Sequence, residues 1–326
     1  MNNVFPLISL GNEAPVLAAG SALAGGQYAL ANESRLGSAT FSQPLTEYIV
    51  GWKDSENIQA TLDYIAPPVP VARRFDWKKA DNSQAFLSEI DDERAIGSGF
   101  KRVEYSGTSA LGKTKNRGLT YCLDRDEDGG ATTEEVITGR LVARIMRNKL
   151  RRAITALLAL DATGTAKTWD GSSKPNEDIR TALAAAQLAS GVFPNRAIIG
   201  LVAWNLRAAA YAGQNNAGAY AGINQTPMQV AQGLGLDDML ISRELYQVSN
   251  TAKARIMTSN VVLFNATVGV GKDDPSHLKQ FYTAIGGGRW AVHREEKGPK
   301  FVEITVEHYD DIVATSTLGA AKLNIS

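Results

Sequence analysis

The chain has a single cysteine, Cys122, in 326 residues. No disulfide can form within it, no cysteine-based zinc site can be assembled, and such usage suits folding in a reducing compartment. Histidine is almost as scarce. His277, His293 and His308 are the only three, and none forms the close-spaced pair that helix-borne zinc motifs use. Neither sign of charge predominates, because 34 Lys plus Arg face 34 Asp plus Glu. A global field that would draw the chain to nucleic acid or to an anionic membrane is therefore missing, and any such attraction has to be local. Long hydrophobic runs are missing too. The uncharged stretch from Ala14 to Asn32 is mostly Ala and Gly, with little Leu, too weak for a membrane span. Ala22-Leu23-Ala24 imitates a signal-peptide cleavage site, but no Lys or Arg precedes Arg35, and Asn12, Glu13 and Pro15 interrupt the apolar run. A soluble, non-secreted protein is expected.

What is present suits a folded chain. Hydrophobic residues make up 44% and charged residues 21%, ordinary globular values, and the length allows about two domains or one lobed unit. Residues 1 to about 70 carry scattered apolar positions and many Gly and Ser, ending in Pro67-Pro68-Val69-Pro70. They read as an arm with little core of its own. Between Val71 and Leu123 the pattern is of strands: Val103 to Ser106, a polar Gly-rich stretch from Gly107 to Gly118, then Leu119 to Leu123. Strand, long tip and strand make a projecting hairpin.

The strongest local signal follows. Thr132 stands three residues before Glu135 as a capping box, and Ile137, Leu141, Ile145, Leu150, Ile154 and Leu157 recur at helical spacing. The helix predicted from Thr132 to Leu160 is about 43 Å long at ~1.5 Å per residue. Arg140, Arg144, Arg147, Lys149, Arg151 and Arg152 give it a basic side. Helix and strand then alternate. Helices are expected over Pro175–Ser190, closed by Gly191, through Trp204 to Tyr211, and from Thr226 with Pro227 at its first position to Gly235. Strands are expected at Ala197–Gly200, Met239–Ser242, Ala254–Thr258 and Val261–Phe264, and the Gly/Asn/Gln-rich stretch 213–225 reads as a loop. Trp290 to His293 and Phe301 to His308 close the series; in the latter Val302, Ile304 and Val306 alternate with Glu303, Thr305 and Glu307. No internal repeat is present, and the fold class is α+β.

Two motifs invite chemistry. Gly107 to Thr114 matches the phosphate-loop pattern G-x-x-x-x-G-K-[ST] in full, with Lys113 as its lysine. That mechanism needs a helix after the loop to present its amides, and here Lys115-Asn116-Arg117-Gly118 and a second strand follow instead. A solvated hairpin tip is the preferred reading over a nucleotide-using enzyme. Asp124, Asp126, Asp128, Gly129 and Glu135 fit the calcium-loop pattern D-x-D-x-D-G-x5-E, and the four carboxylates are the candidate metal ligands. The entering helix of that motif is missing, Ala131 replaces its usual larger apolar residue, and an acidic cap on the long helix is the competing explanation. Gly269-Val270-Gly271-Lys272 lacks the spacing of a phosphate loop. His293 beside Glu295-Glu296 falls on a strand whose neighbours point to opposite faces, before a turn at Gly298-Pro299. No catalytic site, and no cofactor other than calcium, is expected.

The order of parts resembles the tailed-bacteriophage major capsid protein with the Hong Kong 97-type fold. Its most specific stretch runs from Arg196-Ala197-Ile198-Ile199-Gly200 through Trp204 and Leu206, then Thr226-Pro227-Met228 to Leu234-Gly235-Leu236, then Met239-Leu240-Ile241-Ser242, with Asn260 to Phe264 after it. The resemblance implies an N-terminal arm over 1–70, an extended loop hairpin with an acidic linker over 71–131, a spine helix and peripheral domain over 132–174, an axial domain over 175–270 and strands returning to the peripheral domain over 271–326. It also implies a non-enzymatic subunit that assembles with itself into hexamers and pentamers of an icosahedral head. The head would enclose double-stranded DNA by non-specific contact, with scaffolding and portal proteins as partners, no membrane, and assembly in the host cytoplasm into a virion. An encapsulating nanocompartment shell or another phage structural protein is the alternative, ahead of a nucleotide-binding enzyme. The loop lysine to asparagine crosslink of some members is not carried over, since nothing in the sequence identifies its asparagine or catalytic acid.

Overall fold

A computed structural model describes residues 40–79, 93–100 and 108–326 with residue 36, except residues 53, 55, 95, 97–98, 128, 215–216, 270–273 and 286–287. The expected α+β class is what it contains. Two short helices open it, α1 at Gln43–Gly51 and α2 at Ile58–Ile65. Both lie in the stretch expected to lack a core pattern. Their Leu45, Ile49, Ile58, Leu62 and Ile65 are nevertheless buried in the main hydrophobic cluster. Strand β1 is Pro68–Pro70, β2 is Arg74–Lys79, β3 is Thr108–Lys113 and β4 is Lys115–Asp124.

The expected hairpin tip is thus strand. β3 pairs antiparallel with β2, from Arg74 opposite Lys113 to Lys79 opposite Thr108. β4 pairs with a late strand instead of folding back on β3. The glycines that suggested a loop serve close approach: a Cβ on Gly112 would come 2.5 Å from the Phe75 ring, and one on Gly118 would come 2.6 Å from the Val306 carbonyl. The proposed strand Val103–Ser106 lies outside the described residues, as does Gly107.

Helix α3 runs Ala131–Ala159, close to expectation. Its start differs. Gly130, with φ of 84°, holds the N-cap and no side chain caps the helix. Thr132 is already inside it, so the Thr132–Glu135 box does not form; Thr133 Oγ1 accepts from the Gly129 N–H at 3.1 Å instead. Leu150, Ala153, Ile154 and Leu157 are at most 1% exposed. Burying each large apolar side chain stabilises by roughly 1.5–3 kcal/mol, which is why the helix persists far beyond the usual length.

After the short β5 (Thr165–Lys167) come α4 (Pro175–Ser190), β6 (Arg196–Gly200), α5 (Leu201–Ala212), α6 (Ala217–Ile223) and α7 (Pro227–Leu234). Here α6 falls within the stretch read as a loop. Thr226 caps α7 with a reciprocal box: its Oγ1 accepts from the Gln229 N–H at 3.3 Å while Gln229 Oε1 accepts from the Thr226 N–H at 2.8 Å. Arg207 of α5, with no exposed surface, donates to Asn176 Oδ1 at 2.9 Å and Gln225 Oε1 at 2.7 Å. The rings of Trp204 and Tyr211 lie 4.8 and 5.0 Å from its guanidinium. One buried cation thus ties three segments together.

The remaining strands are β7 (Asp238–Ser242), β8 (Leu245–Gln247), β9 (Lys253–Arg255), β10 (Asn260–Phe264), β11 (Leu278–Thr283), β12 (Ala291–Lys297), β13 (Phe301–Ala314) and β14 (Ala321–Ile325). One sheet has the order β5-β14-β10-β6-β7. It is buried on both faces, as its continuous apolar runs require. Ile198, Val262 and Phe264 turn to the cluster around α3, while Ala197, Ile199, Val261 and Leu263 turn to a second cluster with Ile179, Ala203 and Val230. The Tyr64 hydroxyl of α2 donates to the Ala197 carbonyl at 2.8 Å and locks the helix to this sheet. The other sheet is built around β13. β4 pairs along Phe301 to Asp310, β12 along Phe301 to Glu307, and β11 along Tyr309 to Ala314, with β1 parallel to β11.

Candidate functional site

On β13 the residues Val302, Ile304 and Val306 face the core beneath α3, each at most 1% exposed. Continued at a period of two, that row reaches His308 and Asp310, where apolar side chains would be expected. Both stay buried. On α3, Lys149 lies four residues beyond Ile145 and four before Ala153, on the same inward face. Its ammonium sits 3.2 Å from Asp310 Oδ2, with the two side chains 5% and 1% exposed. His308 Nε2 is 3.0 Å and Arg117 Nε 3.4 Å from Asp310 Oδ1, and Arg152 Nη2 is 3.9 Å from Oδ2. None of these approaches has hydrogen-bond alignment. Charge holds the group together.

The electrostatics follow from that crowding. Burial alone would push the Asp310 carboxyl up, but His308, Lys149 and Arg152 outweigh it and hold the group well below the carboxylate range. Burial pulls Lys149 down, opposed by Asp310, and likewise keeps His308 below the ordinary imidazole range. Trp290 covers the His308 ring, with centroids 4.6 Å apart. A cavity of about 10 Å³ adjoins the cluster, lined by Gln280, Arg289 and Trp290 among others. It has room for about one water molecule, so no organic substrate fits.

The opposite face of the same strand carries a second polar set. Glu307 Oε1 lies 3.2 Å from His293 Nε2, and Asn116 Nδ2 donates to Glu307 Oε2 at 2.9 Å and to the Tyr309 hydroxyl at 3.1 Å. His293 therefore meets Glu307 and not the adjacent glutamates. Glu295 pairs with Lys297, and Glu296 pairs with Arg125 and Arg294. Neither polar set presents a nucleophile beside a base at an open surface. Both tie strands to each other or to α3.

The residues singled out by motif lie elsewhere. Lys113 ends β3, and Thr114 is fully buried, its Oγ1 2.9 Å from Thr283 Oγ1. β4 begins at the next residue, so no helix N-terminus meets the phosphate-loop string. Asp124 ends β4, and its Oδ1 accepts from the Asp126 N–H at 3.1 Å in a short 3-10 turn. Glu135 is on α3, and Asp128 lies outside the described residues. Among the described residues no group of three His, Cys, Asp or Glu side chains is placed to hold a metal. No helix of the described residues is long and apolar enough to cross a membrane.

The helix also sorts the cations that the sequence grouped on one side. Lys149 and Arg152 turn toward Asp310. Arg140, Arg144 and Arg151 are exposed, and Arg147 is partly so and pairs with Glu56.

No family model matches the chain, and neither does any curated protein sequence. Among solved structures, the fold is shared with a phage-related protein from Bordetella bronchiseptica RB50, at 13% identity and a TM-score of 0.63, over 89% of this chain and 97% of that one. Looser likenesses are to a virus-like particle from Pyrococcus furiosus (12% identity, TM-score 0.46, 86% and 95% covered) and to the capsid of Myoviridae phage XM1 (10% identity, TM-score 0.44, 81% and 91% covered).

Proposed function

We propose that the chain is a shell-building structural subunit, the major capsid protein of a tailed bacteriophage with the Hong Kong 97-type fold, and not an enzyme. The observation that carries this reading is the shared fold, nearly end to end, with a phage-related protein. The element order supports it: a two-stranded ribbon of β2 and β3, the long α3, a sheet around β13 and a second sheet with its own helices. In this reading β2 and β3 are the base of the extended loop and α3 is the spine. The β13 sheet belongs to the peripheral domain, and the β10 sheet with α4 to α7 forms the axial domain. The arm is narrowed to residues before Gln43, since α1 and α2 share the core of α3. Copies would form hexamers and pentamers of an icosahedral head around double-stranded DNA. Scaffolding and portal proteins would assist assembly in the host cytoplasm.

Electron microscopy and sedimentation of the expressed chain test this. Closed shells are expected, alone or with a scaffolding partner; a well-folded monomer with its partners supplied overturns the reading. Shells filled with protein cargo in place of nucleic acid would assign the chain to the nanocompartments. Ala153→Pro, at a position with no exposed surface in the middle of α3, removes a helix hydrogen bond and costs ~3 kcal/mol or more. It should yield aggregates or free subunits.

A further inference from the structure

Four arginines form a strip on the outer face of α3, and ties within the subunit take up only two of them. Positions 140, 144, 147 and 151 are separated by four, three and four residues. At about 100° per residue they fall within roughly 60° of one another around the helix, on one line about 16 Å long. Arg140, Arg144 and Arg151 are exposed. Arg140 and Arg144 have no ion pair among the described residues. Arg147 meets Glu56, and the Arg151 guanidinium lies over the Tyr246 ring, 4.1 Å from its centroid. The acids of α3, Glu134 and Glu135, sit at its first turns, away from this line, and Glu134 is already taken by Arg294 at 2.9 Å. In a chain with no net charge, this is a local positive surface on a rigid element.

Two details separate it from a merely solvated face. The same helix neutralises its inward cations, since Lys149 and Arg152 share Asp310, yet among the described residues four outward guanidiniums have one paired carboxylate between them. Arginine fills all four positions although lysine would dissolve the surface equally well; its planar donor fork suits paired phosphate oxygens. We propose that this strip is a nucleic-acid contact surface, binding the phosphate backbone without reading sequence. This goes beyond the shell reading, which leaves open the face that meets nucleic acid, and rests on it only for the source of that nucleic acid.

The test uses the full chain and a short mixed-sequence duplex DNA, with affinity measured over a series of salt concentrations. The triple variant Arg140→Gln, Arg144→Gln and Arg151→Gln should weaken binding and lower the log–log salt slope by roughly 3, since each phosphate contact contributes about 0.9. The variant with lysine at the same three positions should keep most of the slope. A matched triple elsewhere, Lys174→Gln, Arg180→Gln and Lys253→Gln, should keep it too. Thermal melts of all four proteins show whether the fold is intact. No DNA binding by the wild type, equal losses in both glutamine triples, or a strip that takes polyglutamate and not duplex DNA each overturns the proposal. Sedimentation of the same samples reads shell formation separately, so the two readings fail independently.

Discussion

Replacing Asp310 with Asn keeps the shape of the side chain and deletes the one anion among the described residues within ion-pair reach of Lys149. The cost is set by what is stranded. Lys149 is 5% exposed and cannot turn to water without leaving the face of α3 that packs on β13. Removing one partner of such a buried pair costs about 3–5 kcal/mol, more than the pair itself contributes, because an uncompensated charge remains. Arg117 and Arg152 are each about one-third exposed, 31% and 34%, and water screens their loss. The expected destabilisation is therefore about 3 kcal/mol, a large share of a domain stability of about 5–15 kcal/mol. Urea denaturation of the full chain, followed by tryptophan fluorescence, measures it. Trp290, whose ring lies tilted against His308, reports the cluster directly.

The companion variant makes the reasoning specific. Lys149→Met with Asp310→Asn removes both charges and fills the space with a flexible apolar side chain, so much of the loss should return, with a coupling of about 0.5–3 kcal/mol. If Asp310→Asn alone costs under about 1 kcal/mol, or the double variant is no more stable than the single, a stranded Lys149 charge is not what the carboxylate prevents.

Burial holds His277 and His308 below the ordinary imidazole range, so protonating either is harder in the folded chain than in the unfolded one. The unfolded chain takes up protons below about pH 6.5, so their contribution is full above that pH and lost as pH falls toward the folded values. Tm should be level from pH 8 to 7 and drop steadily from 6.5 to 5, and a level profile down to pH 5 would contradict this. Asp310, also held low, acts in the same direction further down: its contribution is present above about pH 3.9 and lost as pH falls through its depressed folded value. Gly200→Ala places a Cβ 1.9 Å from the Thr258 carbonyl oxygen, where β6 turns into α5, and should cost at least the ~1–3 kcal/mol of an overpacked core; a Tm equal to wild type would rule out that contact. For the acidic run, calcium bound by Asp124, Asp126, Asp128 and Glu135 would raise Tm by mass action, and Asp126→Ala should abolish any such rise; a rise that survives the substitution removes these residues from consideration.

Where periodicity was long, sequence and structure agree. α3, with an apolar residue every three or four positions over 29 residues, and β13, with its strict alternation, have one low-energy arrangement each. α7 was legible from chemistry, through Thr226, Pro227 and Gly235. Shorter or mixed signals failed for identifiable reasons. α1 and α2 span nine and eight residues, too short to hold by propensity; they are helical because α3 and the sheets cover one face, which no local window contains. The Gly107–Gly118 stretch read as a loop because glycine permits turns, whereas Gly112 and Gly118 are there to let a ring and a carbonyl approach. The Asp310 cluster was not read in advance. The strand was expected to end at His308, short of Asp310, and Lys149 was grouped with the arginines of a basic side, whereas β13 runs on to Ala314 and Lys149 is buried; only their pairing in space explains three polar groups in apolar rows.

That pairing bears on the role proposed for the chain. Much of the contact between α3 and the β13 sheet is apolar, and apolar attraction is not directional in itself. The carboxylate of Asp310, approached from β4 by Arg117, meets Lys149 and Arg152 of α3 in one register only, since a one-turn shift of about 5.4 Å would carry both α3 cations away from it. The buried charges thus fix the register of the helix against the sheet, and with it the line along which the outer arginines are presented.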